Sequence, residues 1–239
     1  MEQFDVLVIG GGAAGLFCAL TAGQRGRRVL VVEHANRVGK KILMSGGGRC
    51  NFTNTGTSPA NYLSANPHFC KSALARYSPA HFVELVERHG IAYHEKELGQ
   101  LFCDDSSKQI VRMLLDECDA AGVRIATGCG IEQVTRREDG LFGLQTAHGL
   151  FAGASLVVAS GGLSIPSMGA SGFGYDLARQ FGHRVLPLRA GLVPLTLSGT
   201  HQARLADLSG VALPVEARCN GVRFSNQMLV THRGLSGPS

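Results

Sequence analysis

Gly10-Gly11-Gly12-Ala13-Ala14-Gly15 has the spacing G-x-G-x-x-G and lies between the apolar run Phe4 to Ile9 and a second apolar stretch, Leu16 to Leu20. A strand, a glycine turn and a helix in that order make a cradle for the pyrophosphate of a dinucleotide. Gly10 permits the tight turn, Gly12 lets the backbone approach phosphate, and Gly15 lets helix and strand pack closely. Free N–H groups at the helix start, with Ala13 and Ala14 in the first turn, favour an anion there. Glu33 closes the next apolar run, Val29 to Val32, where a carboxylate can accept hydrogen bonds from an adenosine ribose. A lone glycine motif is weak; this strand–turn–helix–strand–acid context makes it strong.

A second segment, Gly39 to Asn54, reads GKKILMSGGGRCNFTN. Three consecutive glycines, Gly46, Gly47 and Gly48, bring backbone N–H groups close to something flat or anionic. Lys40, Lys41 and Arg49 add positive charge. Cys50, next to Arg49, is the candidate catalytic residue, because a nearby cation and a glycine loop can lower a thiol pKa. A small packing side chain is the competing account. The apolar run Leu156 to Ala159 ends in Ser160-Gly161-Gly162, which fits a second contact with the same nucleotide. Gly169 to Asp176 is a small-residue loop feeding a helix. Cys103 and the pair His232-Arg233 are weaker candidates for contact with substrate.

The elements that must hold these segments follow from periodicity and turn chemistry. Phe4 to Ile9, Val29 to Val32 and Leu156 to Ala159 read as buried parallel strands. Residues 34–67 read as an irregular, functional loop, and 68–90 as helical. Ser106 suits the N-cap of a helix from Ser107 to Ala121, ended by Gly122. Val123 to Ala126, Ile131 to Arg137, Leu141 to Thr146 and Leu150 to Ala152 read as short strands, with a β-meander over 123–152. Gly172 to Gly182 encloses a helix. The expected fold is α/β, a three-layer Rossmann-like domain over residues 1–188 with a parallel sheet. A β-rich second domain begins at 189 and runs to 239. No closing element is visible after Leu235, so this second domain is expected to be incomplete.

Composition narrows the class. The chain has 239 residues, 44% hydrophobic and 17% charged, which is a globular balance with room for a core. Glycine stands at 32 residues and proline at 8 without a G-X-Y repeat, which excludes collagen and proline-rich linkers. Tryptophan is absent and aromatics are 6%, so no aromatic platform for single strands is advertised. The net charge of +5 suits an anionic ligand or RNA without deciding between them. Seven cysteines without any C-x-x-C point to reduced thiols and give no zinc site. No apolar stretch reaches membrane-span length and the start has no basic n-region, so a cytoplasmic protein without membrane or metal is expected.

Taken together and in this order, the four glycine segments resemble the HI0933-like flavoprotein family, also described as aminoacetone-oxidase-like FAD-binding enzymes. GGGRCNFTN is the most specific stretch, followed by ASGGLSIPSMGASGFGYDLARQFGH and by Thr231 to Pro238. The resemblance covers essentially the whole chain. It implies a flavoprotein oxidoreductase with FAD as cofactor and an inserted β-rich domain. It also implies that Gly10, Gly12, Ala13, Ala14 and Gly15 hold the pyrophosphate and Glu33 the ribose. Lys41 and the loop Ser45, Gly46, Gly47, Gly48, Arg49, Cys50 and Asn51 would lie along pyrophosphate and flavin, with Gly161 and Gly162 over the adenine side. Family members act on small amines or reduce uridine to dihydrouridine in ribosomal RNA, and this chain is most similar to the proteobacterial type tied to the RNA role. Ribosomal RNA is then a partner, and NAD(P)H a transient donor, since only one G-x-G-x-x-G exists. Two readings compete: a non-catalytic nucleotide- or RNA-binding fragment, and an NAD-dependent dehydrogenase, which leaves the GGGRCN loop without a role.

Overall fold

The computed structural model describes residues 1–238, which fall into two compact units, Met1–Arg184 and Val185–Ser239. The first begins with β1 (Glu2–Ile9), α1 (Ala13–Gln24) and β2 (Val29–Val32). All four β2 residues are buried, as is the end of β1. Parallel strands covered on both faces need such runs. Gly26, in the left-handed region at φ 73°, turns the chain out of α1 toward β2.

Residues 34–67 are not structureless. They contain α2 (Lys40–Met44), a 3-10 turn over Ser45–Gly48, β3 (Asn51–Asn54) and a second 3-10 turn, Pro59–Asn61. The helical stretch expected over 68–90 is two helices, α3 (Lys71–Arg76) and α4 (Pro79–Arg88). Pro79 cannot continue a helix from the preceding turn but suits a first helical position. The Ser78 amide donates to His81 Nδ1 at 3.0 Å and closes the new N-terminus.

Next come β4 (Tyr93–Glu95), β5 (Gln100–Cys103) and α5 (Lys108–Ala120). Strands β4 and β5 have no clear sequence signal, yet with β3 they form an antiparallel sheet in the order β3-β5-β4. Helix α5 buries Ile110, Val111, Met113, Leu114 and Cys118 on one face. Its packing on α1 depends on Gly23, where a Cβ would lie 2.6 Å from the Ala121 carbonyl oxygen.

The unit closes with β6 (Arg124–Ala126), β7 (Ile131–Arg136), β8 (Phe142–Thr146), β9 (Gly149–Val158) and α6 (Phe173–Gln180). The main sheet has the order β6-β2-β1-β9-β8-β7. It is mixed rather than parallel: β6, β2, β1 and β9 run parallel, while β8 and β7 are antiparallel additions. The expected meander over 123–152 is therefore part of the main sheet, and β6 pairs away from it with β2. The strands read separately at 150–152 and 156–159 are one strand, β9. Gly153 does not break it, because a Cβ there would meet Leu7 Cγ at 2.6 Å and its absence lets β1 fit closely. Alternate residues of β2 feed two cores. Val29 and Val31 join α1 and α5, whereas Leu30 and Val32 join Val134, Leu144, Phe151 and Leu177.

The second unit contains β10 (Leu195–Thr196), α7 (Gly199–Leu205), β11 (Ala212–Cys219), β12 (Val222–Thr231) and β13 (Gly234–Ser236). The strands form an antiparallel sheet in the order β10-β13-β12-β11. Two features differ from expectation: α7 interrupts the β texture, and residues 234–236 pair with β12 instead of trailing off.

Candidate functional site

The glycine turn after β1 meets the C-terminal end of β9, and Lys41 of α2 reaches the loop that follows β9. A Cβ on Gly10, at φ 107°, would sit 2.5 Å from the Ala159 carbonyl oxygen, so the turn lies directly on the end of β9. A Cβ on Gly15 would lie 1.8 Å from the Gly10 carbonyl oxygen, the close helix–strand approach that only glycine permits. Gly12 behaves differently. Nothing stands within 4 Å of its absent Cβ, and Ala13 and Ala14 beside it are exposed. No side chain caps α1. Free amides at a helix start, bordered by an open glycine, fit the pyrophosphate of a dinucleotide.

Glu33 is nearly buried. One carboxylate oxygen accepts from the Gly11 amide and the other from the Ala35 amide, both at 2.8 Å. The acid therefore fixes the turn as well as offering its remaining lone pairs. Gly11, passed over in the sequence reading as an unspecified position, matters here: a Cβ on it would meet Val38 Cγ1 at 2.5 Å.

The glycine loop 45–50 is a tightly specified shape. Gly46, Gly47, Gly48 and Cys50 all have positive φ, at 59°, 65°, 90° and 55°. A left-handed cysteine is costly and persists only where its surroundings over-determine it. Four contacts do so. The Cys50 amide donates to Ser45 O, the Cys103 amide to Arg49 O, the Ser107 amide to Gly48 O and the Ser107 hydroxyl to Leu43 O, at 3.0, 3.0, 2.7 and 3.0 Å. Phe102 closes one side of Gly46, whose Cβ would lie 2.6 Å from the ring; Gly47 and Gly48 are open. Ser107, buried at the start of α5, was invisible as a site residue in the sequence because only the fold brings it to the loop. The helix begins at Lys108 with Ser107, not the expected Ser106, at the N-cap position and without a capping side-chain bond; Ser106 accepts from the Lys108 amide at 3.3 Å.

Burial pushes the Cys50 thiol up, an effect only partly offset by the neighbouring Ser45 hydroxyl. This overturns the lowered pKa expected from Arg49, whose side chain is exposed while the thiol is not. Cys103 is fully buried and its thiol is pushed up to about 11, chiefly by desolvation. Neither cysteine is a ready thiolate.

Lys41 reaches Ser164 Oγ at 3.0 Å, and its Nζ is 3.6 Å from a Cβ built on Gly161. The loop after β9 and the helix α2 thus meet through one cation. Gly162 instead faces Tyr175, whose hydroxyl lies 2.8 Å from its absent Cβ, so a packing need explains that glycine. On the Glu33 side, Gly169 meets His34. Arg37, Lys40, Lys41 and Arg49 form no ion pair among the described residues. Seven Lys and Arg residues stand between positions 25 and 49, and the fold divides them. Arg25, Arg27 and Arg28 precede β2, at the far end of the strands, and Arg28 pairs with Glu2 at 3.8 Å. His232-Arg233 lie in the second unit. Among the described residues no group of three or more His, Cys, Asp or Glu could hold a metal, and no helix is long and apolar enough to cross a membrane.

A mixed sheet with a parallel centre, a glycine turn at a helix start and an acid at the end of the next strand define a Rossmann-like α/β fold of the FAD-binding type. The HI0933-like protein Rossmann domain matches residues 4–226, and the chain belongs to that family. It is 55% identical over 241 residues to the ribosomal RNA dihydrouridine synthase of Escherichia coli (strain K12), covering 100% of this chain and 60% of that protein. It is 52% identical to the enzyme of the same name from Haemophilus influenzae, covering 100% of this chain and 61% of the relative. A 3-dehydro-bile acid delta(4,6)-reductase of Clostridium scindens is 28% identical, over 96% of this chain and 57% of the relative. The chain thus spans about 60% of the length of the ribosomal RNA dihydrouridine synthases it matches. Among solved structures, glycine oxidase from Geobacillus kaustophilus superposes with a TM-score of 0.53 at 16% identity, over 81% of this chain and 61% of that one. This likeness shows the fold alone. A Rossmann family of the FAD-binding type implies a flavin cofactor.

Proposed function

We propose that this chain is the FAD-holding part of an oxidoreductase that reduces uridine to dihydrouridine in ribosomal RNA. The observations that carry the reading are an open helix start at Gly12 beside a turn seated on the end of β9, a tightly hydrogen-bonded loop with open glycines at Gly47 and Gly48, and Lys41, which reaches the loop after β9. The names of the two relatives at 55% and 52% identity supply the substrate. When bound, FAD supplies the hydride chemistry, and the protein supplies position and electrostatics.

In this reading the amides of Gly12, Ala13, Ala14 and Gly15 hold the pyrophosphate, and the free lone pairs of Glu33 receive ribose hydroxyls. Lys41 sits between pyrophosphate and the Gly161 turn. Ser45 to Asn51 would line the flavin, where the amides of Gly47 and Gly48, with open space beside them, would favour negative charge on its ring. Cys50 keeps its proton at neutral pH and shapes the loop. NAD(P)H binds only transiently as donor, and ribosomal RNA is the partner.

The test is the visible absorption of the purified protein, followed by release and identification of any chromophore. A flavin spectrum with FAD released supports the reading. A protein that stays colourless after incubation with FAD overturns the oxidoreductase assignment. Retention of nucleotide and RNA binding in that case would leave the second reading, a binding fragment, which the 60% coverage of the relative favours.

A further inference from the structure

Three histidines touch a carboxylate among the described residues. His34 lies against Glu33, whose oxygens already serve the Gly11 turn. His89 and Glu117 are largely buried, and Glu117 also accepts from Gln24. The third pair is different in exposure and in place. His94 Nδ1 stands 2.7 Å from Asp104 Oδ1, and the two side chains are 43% and 44% exposed.

His94 is directly opposite Phe102 in the pairing of β4 with β5, and their rings stack at 6.3 Å with planes 19° apart. Phe102 is the ring that closes Gly46. A single side chain therefore links the imidazole to the glycine loop. Lys96 Nζ lies 5.7 Å from the centre of the same ring. An ionised carboxylate only accepts, so Asp104 fixes a hydrogen on Nδ1 and leaves Nε2 as the nitrogen that can exchange a proton. A base or acid held by a carboxylate partner is the arrangement of a proton-transferring site.

We propose that His94, oriented by Asp104, is the proton donor of the reduction carried out over the glycine loop. The proposal rests on the oxidoreductase reading above. Reducing a carbon–carbon double bond conjugated to a carbonyl needs a hydride and a proton. The hydride, drawn from the reduced cofactor, bonds to one carbon. The π pair then bonds the neighbouring carbon to the proton leaving Nε2 of the imidazolium. The cofactor ends oxidised, the imidazole ends neutral, and water returns its proton. Cys50 and Cys103 are poor rivals for this task because they are 5% and 0% exposed.

The experiment uses the FAD-loaded chain with 15N-labelled histidine and a short oligouridylate, with oligoadenylate as control. The neutral His94 ring is expected as the Nδ1–H tautomer, with Nε2 shifting on oligouridylate and not on oligoadenylate. His94→Ala should weaken oligouridylate binding about tenfold with visible flavin absorption retained. After chemical reduction of the flavin it should form no dihydrouridine until imidazole is added. His94→Gln, which keeps size and strand pairing, should lose the product without rescue by its own amide. The proposal is overturned by a His94 resonance that ignores oligouridylate or by wild-type product formation in His94→Ala without imidazole. A chain that takes up no FAD, or a reduced wild-type chain that makes no dihydrouridine, overturns the oxidoreductase reading instead, which separates the two failures.

Discussion

The Ser107 amide donates to the Gly48 carbonyl at 2.7 Å while its hydroxyl donates to the Leu43 carbonyl at 3.0 Å, so one buried residue holds both ends of the glycine loop. Ser107→Ala removes the second bond and leaves a carbonyl unsatisfied. It should cost about 1–2 kcal/mol by chemical denaturation and weaken FAD more than it weakens the fold. Ser107→Thr, which keeps the hydroxyl, should restore FAD affinity in the same flavin titration. Equal FAD affinity in Ser107→Ala and the parent would sink the clamp.

Gly12 and Gly15 separate ligand space from packing. Gly15→Ala pushes a methyl into the Gly10 carbonyl and should destabilise by about 3 kcal/mol, read as a drop in the unfolding midpoint. Gly12→Ala meets no protein atom and should stay within about 0.5 kcal/mol of the parent. Its FAD affinity should nevertheless fall by an order of magnitude or more, because the methyl enters the phosphate space. Urea unfolding and FAD titration on the same two variants give the contrast.

Glu33→Gln tests the double role of the acid. The carboxylate accepts two backbone amides at 2.8 Å. A glutamine has one acceptor oxygen and must set an NH2 group against the other amide. The expected loss is about 1.5–3 kcal/mol in the absence of any nucleotide. An unchanged unfolding midpoint would show that the turn does not depend on Glu33.

The buried thiols predict an alkaline weakness. Cys103 and Cys118 are both pushed up to about 11 by burial, from an ordinary value of 9.0. The folded state therefore holds these protons more tightly than the unfolded state. Their contribution is fully present below pH 9 and is lost as pH rises toward 11. Stability measured across that window should fall, and less steeply in Cys118→Ala. At neutral pH, iodoacetamide should modify exposed Cys219 well before Cys50, Cys103 or Cys118, as read by peptide mass spectrometry.

Much of the first unit is legible in local sequence. The turn at Gly10 to Gly15, the run Val29 to Val32 and the acid at Glu33 are encoded by short-range spacing, and the fold keeps that order. The helix ending at Gly122 is legible for the same reason. What escapes is long-range. Ser107 and Phe102 look like ordinary residues of a helix start and a strand, and only sheet β3-β5-β4 and helix α5 carry them to the loop. Residues 150–152 and 156–159 read as separate strands, and only Leu7 of the neighbouring strand, filling the space at Gly153, shows why one strand runs through. The Cys50 thiol shows the limit most clearly: Arg49 is adjacent in sequence, but burial, a property of the fold, decides the sign of its pKa shift.

The partnership of β1 with β9 joins Glu2 to Phe151 and Ile9 to Val158. During synthesis the first βαβ unit leaves the ribosome long before its central strand can find that neighbour. Until residue 158 has emerged, one edge of β1 and the carbonyl of Ala159 that seats Gly10 are missing. The turn at Gly10 is thus made long before the strand end that completes it. A nascent chain stalled before β9 would carry the glycine motif without the wall that shapes it, and the gain from closing so long a loop arrives only when the strand itself does.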